Sequence, residues 1–458
     1  MISFRVWAPS AKQIQLRIDG DLYGMTPADS GWWRAEIELP KISIDYGFVV
    51  DGSDPLPDPR SPWQPSGVHG FSRTLDHSTF SWTDQHWQAK PLSSAIAYEL
   101  HVGTFTPQGT FIAAIDKLDY LVDLGVTHIE LMPAAEFSGT RGWGYDGVDL
   151  YAPHHAYGEP DDLKRLVNAS HAIGLAVILD VVYNHLGPAG NYLARFGPYF
   201  TQRYATPWGQ AINFDGPESD EVRRFFCDNA LMWLRDYHFD GLRIDAVHAI
   251  LDTSAMHFLE QLAGEVAELQ AQTDRQLTLI AESDLNDPRI IRSREIGGYG
   301  IHAQWSDDFH HALHCVLTGE RAGYYRDFGS LADLAKALQQ VFVYDGRYSA
   351  FRRRRHGRPP TGLSGHSFLA YLQTHDQIGN RAKGERSSHL MNDGRLKIAA
   401  ALVLTAPFVP MAYSLGAMPI SSFSNSSVVP WLSFASGACP VLRPRGVFRV
   451  FLDSLLAM

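Results

Sequence analysis

The sequence predicts an α/β protein: a (β/α)8 barrel of the TIM type, preceded by a small all-β sandwich domain. Residues 1–88 contain short runs of alternating apolar and polar residues separated by turn residues, which is typical of antiparallel strands. From about Ala95, short apolar runs alternate with amphipathic helical stretches, which indicates repeated βα units and a parallel sheet. Long insertions after several of these runs favour a barrel over a doubly wound open sheet, because barrels carry their functional loops there.

The sandwich is the first domain predicted along the chain. Its strands are expected in four alternating segments, which are FRVWAP, QIQLRIDG, WWRAEIEL and YGFVVDG. The Pro-rich stretch that follows, residues 54–67, is typical of a surface or interdomain loop. We place this domain at residues 1–88.

Seven apolar runs are predicted as barrel strands, and an eighth candidate is weaker. The seven runs are residues 95–103, 126–133, 175–185, 239–247, 276–283, 301–305 and 367–375. The eighth candidate is PFVPMAYS, residues 407–414. Because about eight βα units close such a barrel, we place the barrel domain at residues 89–415.

The last part of the chain differs from the barrel in composition. From Met411 onward it has one acidic residue, Asp453, and Ser, Pro and small apolar residues dominate. No helical periodicity is evident there. We therefore expect an incomplete or aberrant C-terminal end, with an atypical tail at residues 416–458. The alternative is a short divergent tail that folds onto the barrel.

Composition and charge exclude several classes of protein. The formal net charge of −11 argues against general attraction to nucleic acid. The three cysteines, Cys227, Cys315 and Cys439, are far apart and form neither a disulfide framework nor a zinc-ligand spacing. Such cysteine usage favours a reducing compartment, and we expect a cytoplasmic protein. No apolar run is long enough to span a membrane, and the N-terminus begins like a strand rather than a signal peptide.

Charged side chains follow several of the predicted strands. Arg243 and Asp245 are two residues apart, so in a strand they point to the same face. Glu282 and Asp376 also follow apolar runs. An acid at a strand end is often a helix N-cap or half of an ion pair, but three carboxylates at one rim of a barrel make that reading improbable. Asp180, Asn184, His185 and His375 occupy equivalent positions.

Two of these carboxylates fit a glycoside-cleaving pair. Retaining glycosidases use a nucleophile and a general acid/base whose carboxyl groups are about 5–5.5 Å apart. The acid must stay protonated near neutral pH, so its surroundings should be less positively charged than those of the nucleophile. Asp245 has Arg243 beside it in the sequence, whereas Glu282 has no adjacent cation. This asymmetry favours Asp245 as nucleophile and Glu282 as acid/base.

Four segments resemble the ordered signature regions of the α-amylase superfamily of glycoside hydrolases: DVVYNH, GLRIDAVH, IAES and LQTHDQ. The resemblance extends from about residue 95 to residue 410. It implies that Asp245 is the nucleophile, Glu282 the acid/base, and Asp376 a stabiliser of the transition state. The sandwich is similar to the N-terminal carbohydrate-binding-like modules of branching and debranching members.

Further segments, including RGWGYDGVDLYAPHHAYG, TPWGQAINFDGP and QWSDDFHHALH, are similar to those of superfamily members that release trehalose from maltooligosyltrehalose. The implied substrates are maltooligosyltrehalose and related α-glucans, and the implied partner is a maltooligosyltrehalose synthase that acts beforehand. Bare aromatics such as Trp143 are more often core residues than sugar platforms. The residues implied to bind substrate are Arg243, His185, His375, Tyr145, Trp143, His248, Asp307, Asp308, His310, His311, Gln377 and Asn380.

Metals and cofactors are not expected. The acids and histidines of residues 307–311 are nearly contiguous and cannot all face one ion from a helix, so hydrogen bonding to sugar hydroxyls is favoured. Asn184 matches a position that binds calcium in some amylases, but no other ligand is evident in the sequence. We expect no required metal and no cofactor.

Two other functions stay open. An α-glucan branching transferase is the nearest alternative within the superfamily. A non-catalytic, truncated glucan-binding homologue is an alternative of another class. The basic run at residues 352–358 is interpreted as a solvated loop, with contact to substrate or a partner as the alternative.

Overall fold

The computed structural model describes residues 1–39 and 43–414, which pack as two compact units. The first unit contains residues 1–89, 100–118 and 130–282; the described part of the second contains residues 90–99, 119–129 and 283–414. The first unit combines residues 1–89 with later parts of the chain, so it does not test the predicted boundary at residue 88. The predicted domain division stays a prediction. The predicted tail at residues 416–458 lies outside the described residues.

The N-terminal strands form two antiparallel sheets, as predicted. The strands are β1 (Ile2–Trp7), β2 (Ile14–Ile18), β3 (Asp21–Gly24), β4 (Thr26–Pro27), β5 (Trp32–Ile37), β6 (Asp45–Val50) and β7 (Ser72–Arg73). One sheet has the order β1-β5-β4 and the other β3-β2-β6-β7. Phe4 of β1 packs edge-on against Tyr46 of β6, with ring centroids 4.9 Å apart, so the inner faces of the sheets share a core.

The remaining strands include the eight of the barrel. They are β8 (Ala97–Leu100), β9 (His128–Leu131), β10 (Ala135–Phe137), β11 (Gly147–Pro153), β12 (Ala176–Val181), β13 (Phe200–Thr206), β14 (Gly209–Ile212), β15 (Gly241–Ile244), β16 (Thr278–Ala281), β17 (Ala303–Trp305), β18 (Tyr348–Ser349), β19 (Arg354–Arg355), β20 (Phe368–Tyr371) and β21 (Val409–Ser414). The closed barrel has the order β12-β15-β16-β17-β20-β21-β8-β9.

The helices follow the barrel strands along the chain. They are α1 (Val102–Phe105), α2 (Phe111–Ile115), α3 (Leu118–Asp123), α4 (Pro160–Ala172), α5 (Leu193–Phe196), α6 (Ser219–Asp236), α7 (Phe258–Thr273), α8 (Asp307–Thr318), α9 (Leu331–Gln340), α10 (His375–Gly379), α11 (Ser387–Leu390) and α12 (Asp393–Thr405). No helix among these described segments has the length and hydropathy needed to cross a membrane.

Each of the eight runs predicted as barrel strands contains an observed barrel strand. The weak eighth candidate is β21, which pairs in parallel with β20 and places Val409 opposite Leu369. The predicted (β/α)8 barrel is therefore confirmed, and it is closed within the described residues. Most barrel strands are buried along their whole length, as expected for strands covered on both faces.

Helix α4 illustrates why the polar and apolar pattern specifies an element. Pro160 is its first residue, where the missing N–H costs nothing. Glu159 and Asp162 form a capping box before the first turn. Leu163, Leu166 and Val167 are spaced to form one apolar face, and all are buried.

The segment after β7 that contains Asp84 and Trp87 is held within the first unit by His171 of α4. The His171 Nδ1 atom lies 2.8 Å from Asp84 Oδ2, and its Nε2 atom lies 3.0 Å from Asp240 Oδ2. The Trp87 ring stacks on the His171 ring at 4.7 Å, and its Nε1–H donates to Asp240 Oδ1 at 2.8 Å. Because both ring nitrogens face carboxylates, we interpret His171 as an imidazolium.

Candidate active site

Strand β15 carries a buried arginine, Arg243, that contacts three carboxylates of the first unit. Arg243 has no exposed surface, and its Nη1 atom donates to both Asp180 oxygens, at 2.8 and 2.7 Å. The same nitrogen donates to Asp245 Oδ1 at 2.8 Å. The predicted common face of Arg243 and Asp245 is thus confirmed, and their place in an apolar strand is explained by mutual neutralisation.

The charge state of this cluster follows from its burial and its ion pairs. Burial lowers the pKa of Arg243, but the carboxylates of Asp180, Glu282 and Asp245 outweigh it and hold that pKa well above its ordinary value. Burial also raises the pKa of Asp180 to about 6. The Tyr145 hydroxyl donates to Asp180 Oδ2 at 2.6 Å, so this predicted subsite residue is tied to the same cluster.

Glu282 belongs to the same cluster. It follows β16 directly, and its Oε2 atom lies 3.1 Å from Arg243 Nη2. It also accepts a hydrogen bond of 2.7 Å from the backbone N–H of Ala246. The inference that only Asp245 has a neighbouring cation is therefore wrong, because strands distant in sequence are adjacent in the barrel. The division of roles between the two carboxyls rests on the family resemblance.

Asn184 and His185 buttress Asp245 from the end of β12. The Asn184 Nδ2 group donates to Asp245 Oδ2 at 2.7 Å and to its backbone oxygen at 2.9 Å. The His185 Nδ1–H group donates in turn to Asn184 Oδ1. Burial lowers the pKa of His185, although Asp245 opposes the effect. Asn184, which the sequence places at a strand end and at a position similar to a calcium ligand, thus holds the Asp245 carboxyl in this structure.

Trp208, which the sequence analysis does not single out, contacts the predicted site residue His185. It lies in the turn between β13 and β14, is 47% exposed, and stacks on the His185 ring with centroids 5.1 Å apart and planes 16° apart. Sugar-binding sites use such aromatic faces, since their rings bury apolar sugar surface. The available signal was an aromatic residue between Pro207 and Gly209 in a turn, which by itself does not reveal where the turn folds.

The other residues predicted in the first unit lie in loops. Trp143 is half-buried beside Gly144, whose φ of +93° and approach to Pro133 exclude a side chain. A Cβ atom there would lie 2.1 Å from the Pro133 oxygen. His248 lies in the 3-10 turn Val247–Ala249, and its buried Nδ1 atom has no hydrogen-bond partner among the described residues.

In the second unit, His375 and Asp376 begin α10. Glu99 of β8 accepts from the His375 backbone N–H at 3.2 Å and lies 2.6 Å from its Nδ1 atom. The Asp376 side chain is 42% exposed, with Oδ1 3.5 Å from His375 Nε2. Gln377 accepts from the backbone and hydroxyl of Thr374, which indicates a helix cap. Asn380 is the exposed residue after α10.

Three residues of the DDFHH segment line one cavity in the second unit. Asp307, Asp308 and His311 share it with Asp284, Tyr324, Phe351 and Arg352. Burial, with Asp376 contributing, raises the pKa of Asp307 to about 7, and burial lowers the pKa of His311 to about 3. Neither the cavity nor these pKa shifts identifies a ligand, so contact of Asp307 and His311 with substrate stays a prediction.

Asp308 and His310 are committed to contacts within the second unit. Asp308 Oδ2 accepts from Asn286 Nδ2 and from the backbone N–H groups of Val343 and Tyr344, at 2.7–2.8 Å. The ring nitrogens of His310 lie 2.7 Å from Leu372 O and 2.9 Å from Tyr325 Oη. These contacts favour supporting roles over direct contact with sugar.

Among residues 1–39 and 43–414, one group has ligand types and spacing that suit a metal ion: Glu136, His154 and His155. The Glu136 carboxylate already interacts with both imidazole Nδ1 atoms, at 3.1 and 2.8 Å, and with the His155 backbone N–H at 2.7 Å. A metal bound at His154 Nδ1 would leave a buried Nε2–H without an acceptor in the described structure, which disfavours it.

Comparisons with known proteins identify the relatives of this chain. The family description "Alpha amylase, catalytic domain" matches residues 71–204. The chain is 49% identical over 448 residues to malto-oligosyltrehalose trehalohydrolase of Rhizobium sp. (strain M-11), covering 96% of this chain and 74% of that one. It is 52% identical over 416 residues to the enzyme of that name from Arthrobacter ramosus, covering 90% and 72%.

A solved structure shows the same architecture. A Salmonella typhimurium protein, provisionally called an alpha amylase and solved at 1.4 Å, is 41% identical, with a TM-score of 0.85. The match covers 90% of this chain and 70% of that one. The identity and coverage of the sequence relatives, together with the Arg243-centred carboxylates of the barrel, establish that the chain belongs to the malto-oligosyltrehalose trehalohydrolase family of the α-amylase superfamily.

Proposed function

We propose that this chain hydrolyses the α-1,4-glucosidic bond that joins trehalose to the maltooligosaccharide of maltooligosyltrehalose. The products are free trehalose and a shortened maltooligosaccharide. We infer double displacement with retention of anomeric configuration from the family resemblance, which gives Asp245 the role of nucleophile and Glu282 that of acid/base.

One observation carries the proposal: Asp245 and Glu282 contact the same buried guanidinium. Arg243 Nη1 lies 2.8 Å from Asp245 Oδ1, and Arg243 Nη2 lies 3.1 Å from Glu282 Oε2. Their side chains are 11% and 17% exposed, so both carboxyls remain accessible from the barrel rim. A shared cation holds the pair at short range, which supports one carboxyl attacking carbon while the other protonates the leaving oxygen.

In the first step, an Asp245 oxygen forms a bond to the anomeric carbon while the glycosidic C–O bond breaks. Glu282 gives its proton to the departing trehalose oxygen, which keeps the electron pair of the broken bond. Arg243 and Asn184 hold Asp245 in its ionised, oriented form. The product of this step is a glycosyl-enzyme ester and free trehalose.

In the second step, the Glu282 carboxylate takes a proton from water as the water oxygen attacks the anomeric carbon. The ester bond breaks, and Asp245 recovers its carboxylate. We assign Asp376, in the second unit, to stabilising charge on the sugar through its hydroxyls; this assignment rests on the family resemblance.

We further propose a cellular context. The substrate carries trehalose at its end, so a maltooligosyltrehalose synthase would have to supply it. The three scattered cysteines favour action in the cytoplasm.

The test is incubation of the purified chain with maltooligosyltrehalose, with products separated by chromatography. Trehalose release by the unmodified chain and its loss in Asp245→Asn are expected, since the amide cannot form the ester intermediate. New α-1,6 branch points in amylose would instead assign a branching transferase. Binding of glucans with neither reaction would assign a non-catalytic homologue. Near-normal turnover by Asp245→Asn would remove Asp245 from the mechanism.

A further inference from the structure

The residue after Asp245 has a backbone conformation that is unusual for a residue with a side chain. Ala246 has φ 40° and ψ 49°, in the left-handed region, which the Cβ atom disfavours. It is only 4% exposed. Such outliers persist where surrounding contacts hold them, and they occur often at functional sites. The contacts of Ala246 therefore indicate what its conformation accomplishes.

Three hydrogen bonds join residues 244–247 to Glu282. The Glu282 N–H donates to the Ile244 oxygen at 3.0 Å, and the Val247 N–H donates to the Glu282 backbone oxygen at 2.9 Å. The Ala246 N–H donates to the side-chain Oε2 of Glu282 at 2.7 Å. The left-handed turn at Ala246 thus directs two successive N–H groups to one residue, one to its backbone and one to its carboxyl.

We propose that the backbone N–H of Ala246 positions the general acid/base by holding Glu282 Oε2, so that the transferable proton is carried on Oε1. The proposal rests on the proposed function, since it takes Glu282 to be the acid/base. Oε2 accepts the Ala246 N–H and lies 3.1 Å from the positively charged Nη2 of Arg243. A proton on Oε2 would face these donors, so the protonated carboxyl carries it on the other oxygen.

This arrangement serves both steps of the reaction. As the glycosidic bond breaks, the Oε1–H bond breaks and its proton moves to the departing oxygen, which leaves a carboxylate at Glu282. The Ala246 N–H stabilises that anion without moving. The charged and titratable groups gathered around the adjacent Arg243 are Asp180, Glu282, Tyr145 and Asp245, so the new negative charge appears in a site with a fixed counter-charge.

The direct test replaces Ala246 by lactic acid, an amide-to-ester change that removes the N–H and keeps the methyl group. The protonated acid should then persist to higher pH, because its anion has lost a donor. We expect the alkaline limb of the kcat/KM profile for maltooligosyltrehalose to move up by about one pH unit, and kcat to fall about tenfold. Glycosylation by a maltosyl fluoride should change less than about twofold, since fluoride needs little protonation to leave.

A matched control uses the same chemistry one residue later. Replacing Val247 by its hydroxy acid removes the N–H that donates to the Glu282 backbone oxygen. This ester weakens the connection between residues 244–247 and the backbone of Glu282 but keeps the bond from the Ala246 N–H to Glu282 Oε2. The alkaline limb should therefore stay in place. An Ala246 ester whose limb does not move, or two esters that behave alike, would overturn the proposal.

A second variant covers failure of the Ala246 ester to fold. Ala246→Val keeps the N–H but disfavours the left-handed conformation through its branched Cβ, so it should move the alkaline limb in the same direction. An unmoved limb in a folded Ala246→Val enzyme would overturn the proposal equally.

The Glu282→Gln variant separates failure of this proposal from failure of the proposed function. It should lose turnover of maltooligosyltrehalose but still react with maltosyl fluoride. Full activity on both substrates would reject Glu282 as the acid/base. Selective loss on the natural substrate, combined with an unmoved limb in the Ala246 ester, would reject only the positioning role of Ala246.

Discussion

At the scale of single residues, Arg243 shows how strongly a buried charge constrains its neighbours. Its fully buried guanidinium contacts Asp180, Asp245 and Glu282. A buried cation is tolerated only where anions neutralise it, and the carboxylates in turn depend on the cation. A single substitution at this position should therefore affect both stability and turnover.

We predict that Arg243→Lys lowers both the stability of the fold and the turnover of substrate. A lysine ammonium is one compact charge and cannot bridge Asp180 and Glu282 as the planar guanidinium does. We expect a loss of about 3 kcal/mol in the free energy of unfolding. We also expect kcat/KM to fall about a hundredfold or more. Urea unfolding and trehalose release would measure them.

The matched control for Arg243→Lys is Arg165→Lys. The Arg165 side chain is 54% exposed and pairs with Asp162. An exposed pair contributes about 0.2–1 kcal/mol at most, so this variant should behave like the unmodified chain. Equal behaviour of the two variants would show that the fork geometry of Arg243 is unimportant.

At the scale of elements, two segments outside the barrel strands contact residues of the first unit that matter for its stability and its site. The segment containing Asp84 and Trp87 is held by His171 of α4. The β13–β14 hairpin carries Trp208 onto the ring of His185. The first contact concerns stability, and the second concerns the sugar site.

We predict that the His171 contact depends on pH. Burial alone would lower the pKa of His171, but Asp240 and Asp84 outweigh it and raise that pKa. Burial alone would raise the pKa of Asp84, but the His171 and His238 rings outweigh it and hold that pKa below its ordinary value. A raised histidine pKa stabilises the fold below the unfolded value of about 6.5 and ceases to do so as pH rises through the folded value.

The depressed Asp84 pKa stabilises the fold above about pH 4, and this contribution is lost as pH falls through the folded value. The charged neighbours are His238, beside Asp84, and Arg275, beside Asp240. The stability difference between the unmodified chain and His171→Gln should be largest near about pH 5–6 and shrink toward about pH 9. Chemical unfolding across this range is the measurement; a difference that grows with pH would contradict it.

We predict that Trp208→Ala raises KM for maltooligosyltrehalose several-fold, with a smaller change in kcat. Trp208 is exposed and touches His185 rather than the carboxylates, so its loss removes a surface for sugar stacking without disturbing the Arg243 cluster. Trp208→Phe should restore most of the affinity. If both variants lowered kcat alone, the residue would act on the chemical step instead.

At the scale of the whole molecule, closure of the barrel depends on its last described strand. Strand β21 pairs with β20 and completes the eight-strand ring. A closed ring leaves no strand edge unpaired. Val409 and Met411 of β21 are 1% and 3% exposed, whereas Ala412 is exposed.

We predict that Val409→Asp destabilises the fold severely, whereas Ala412→Asp, on the same strand, is tolerated. An unpaired buried carboxylate costs several kcal/mol, roughly, whereas an exposed one costs little. Thermal unfolding and soluble yield would compare the two variants. Similar values would indicate that β21 contributes little to the barrel.

Much of the candidate site could be predicted from local sequence patterns. The two-residue spacing of Arg243 and Asp245 in a strand already placed them on one face. Glu282 and Asp376 were predicted as site residues because they follow apolar runs, and parallel strands end at a common rim. The structure shows Glu282 beside Arg243, whereas the role of Asp376 stays a prediction. The ion pair between Arg243 and Glu282, and the stacking of Trp208 on His185, could not be predicted, since each joins segments far apart in the chain.

The sequence by itself determined the eight barrel strands, the sandwich and the family, because these depend on periodicity and on short motifs that are local in the chain. Only the tertiary structure decided that one guanidinium serves both carboxyls, that Asn184 holds Asp245, and that the Ala246 N–H meets Glu282. It also decided that Asp307, Asp308 and His311 line one cavity, whereas the ring nitrogens of His310 contact Leu372 O and Tyr325 Oη. The physical reason is that side-chain charge and hydrogen bonding act through distance in space, which a linear sequence records only where neighbours in space are also neighbours in the chain.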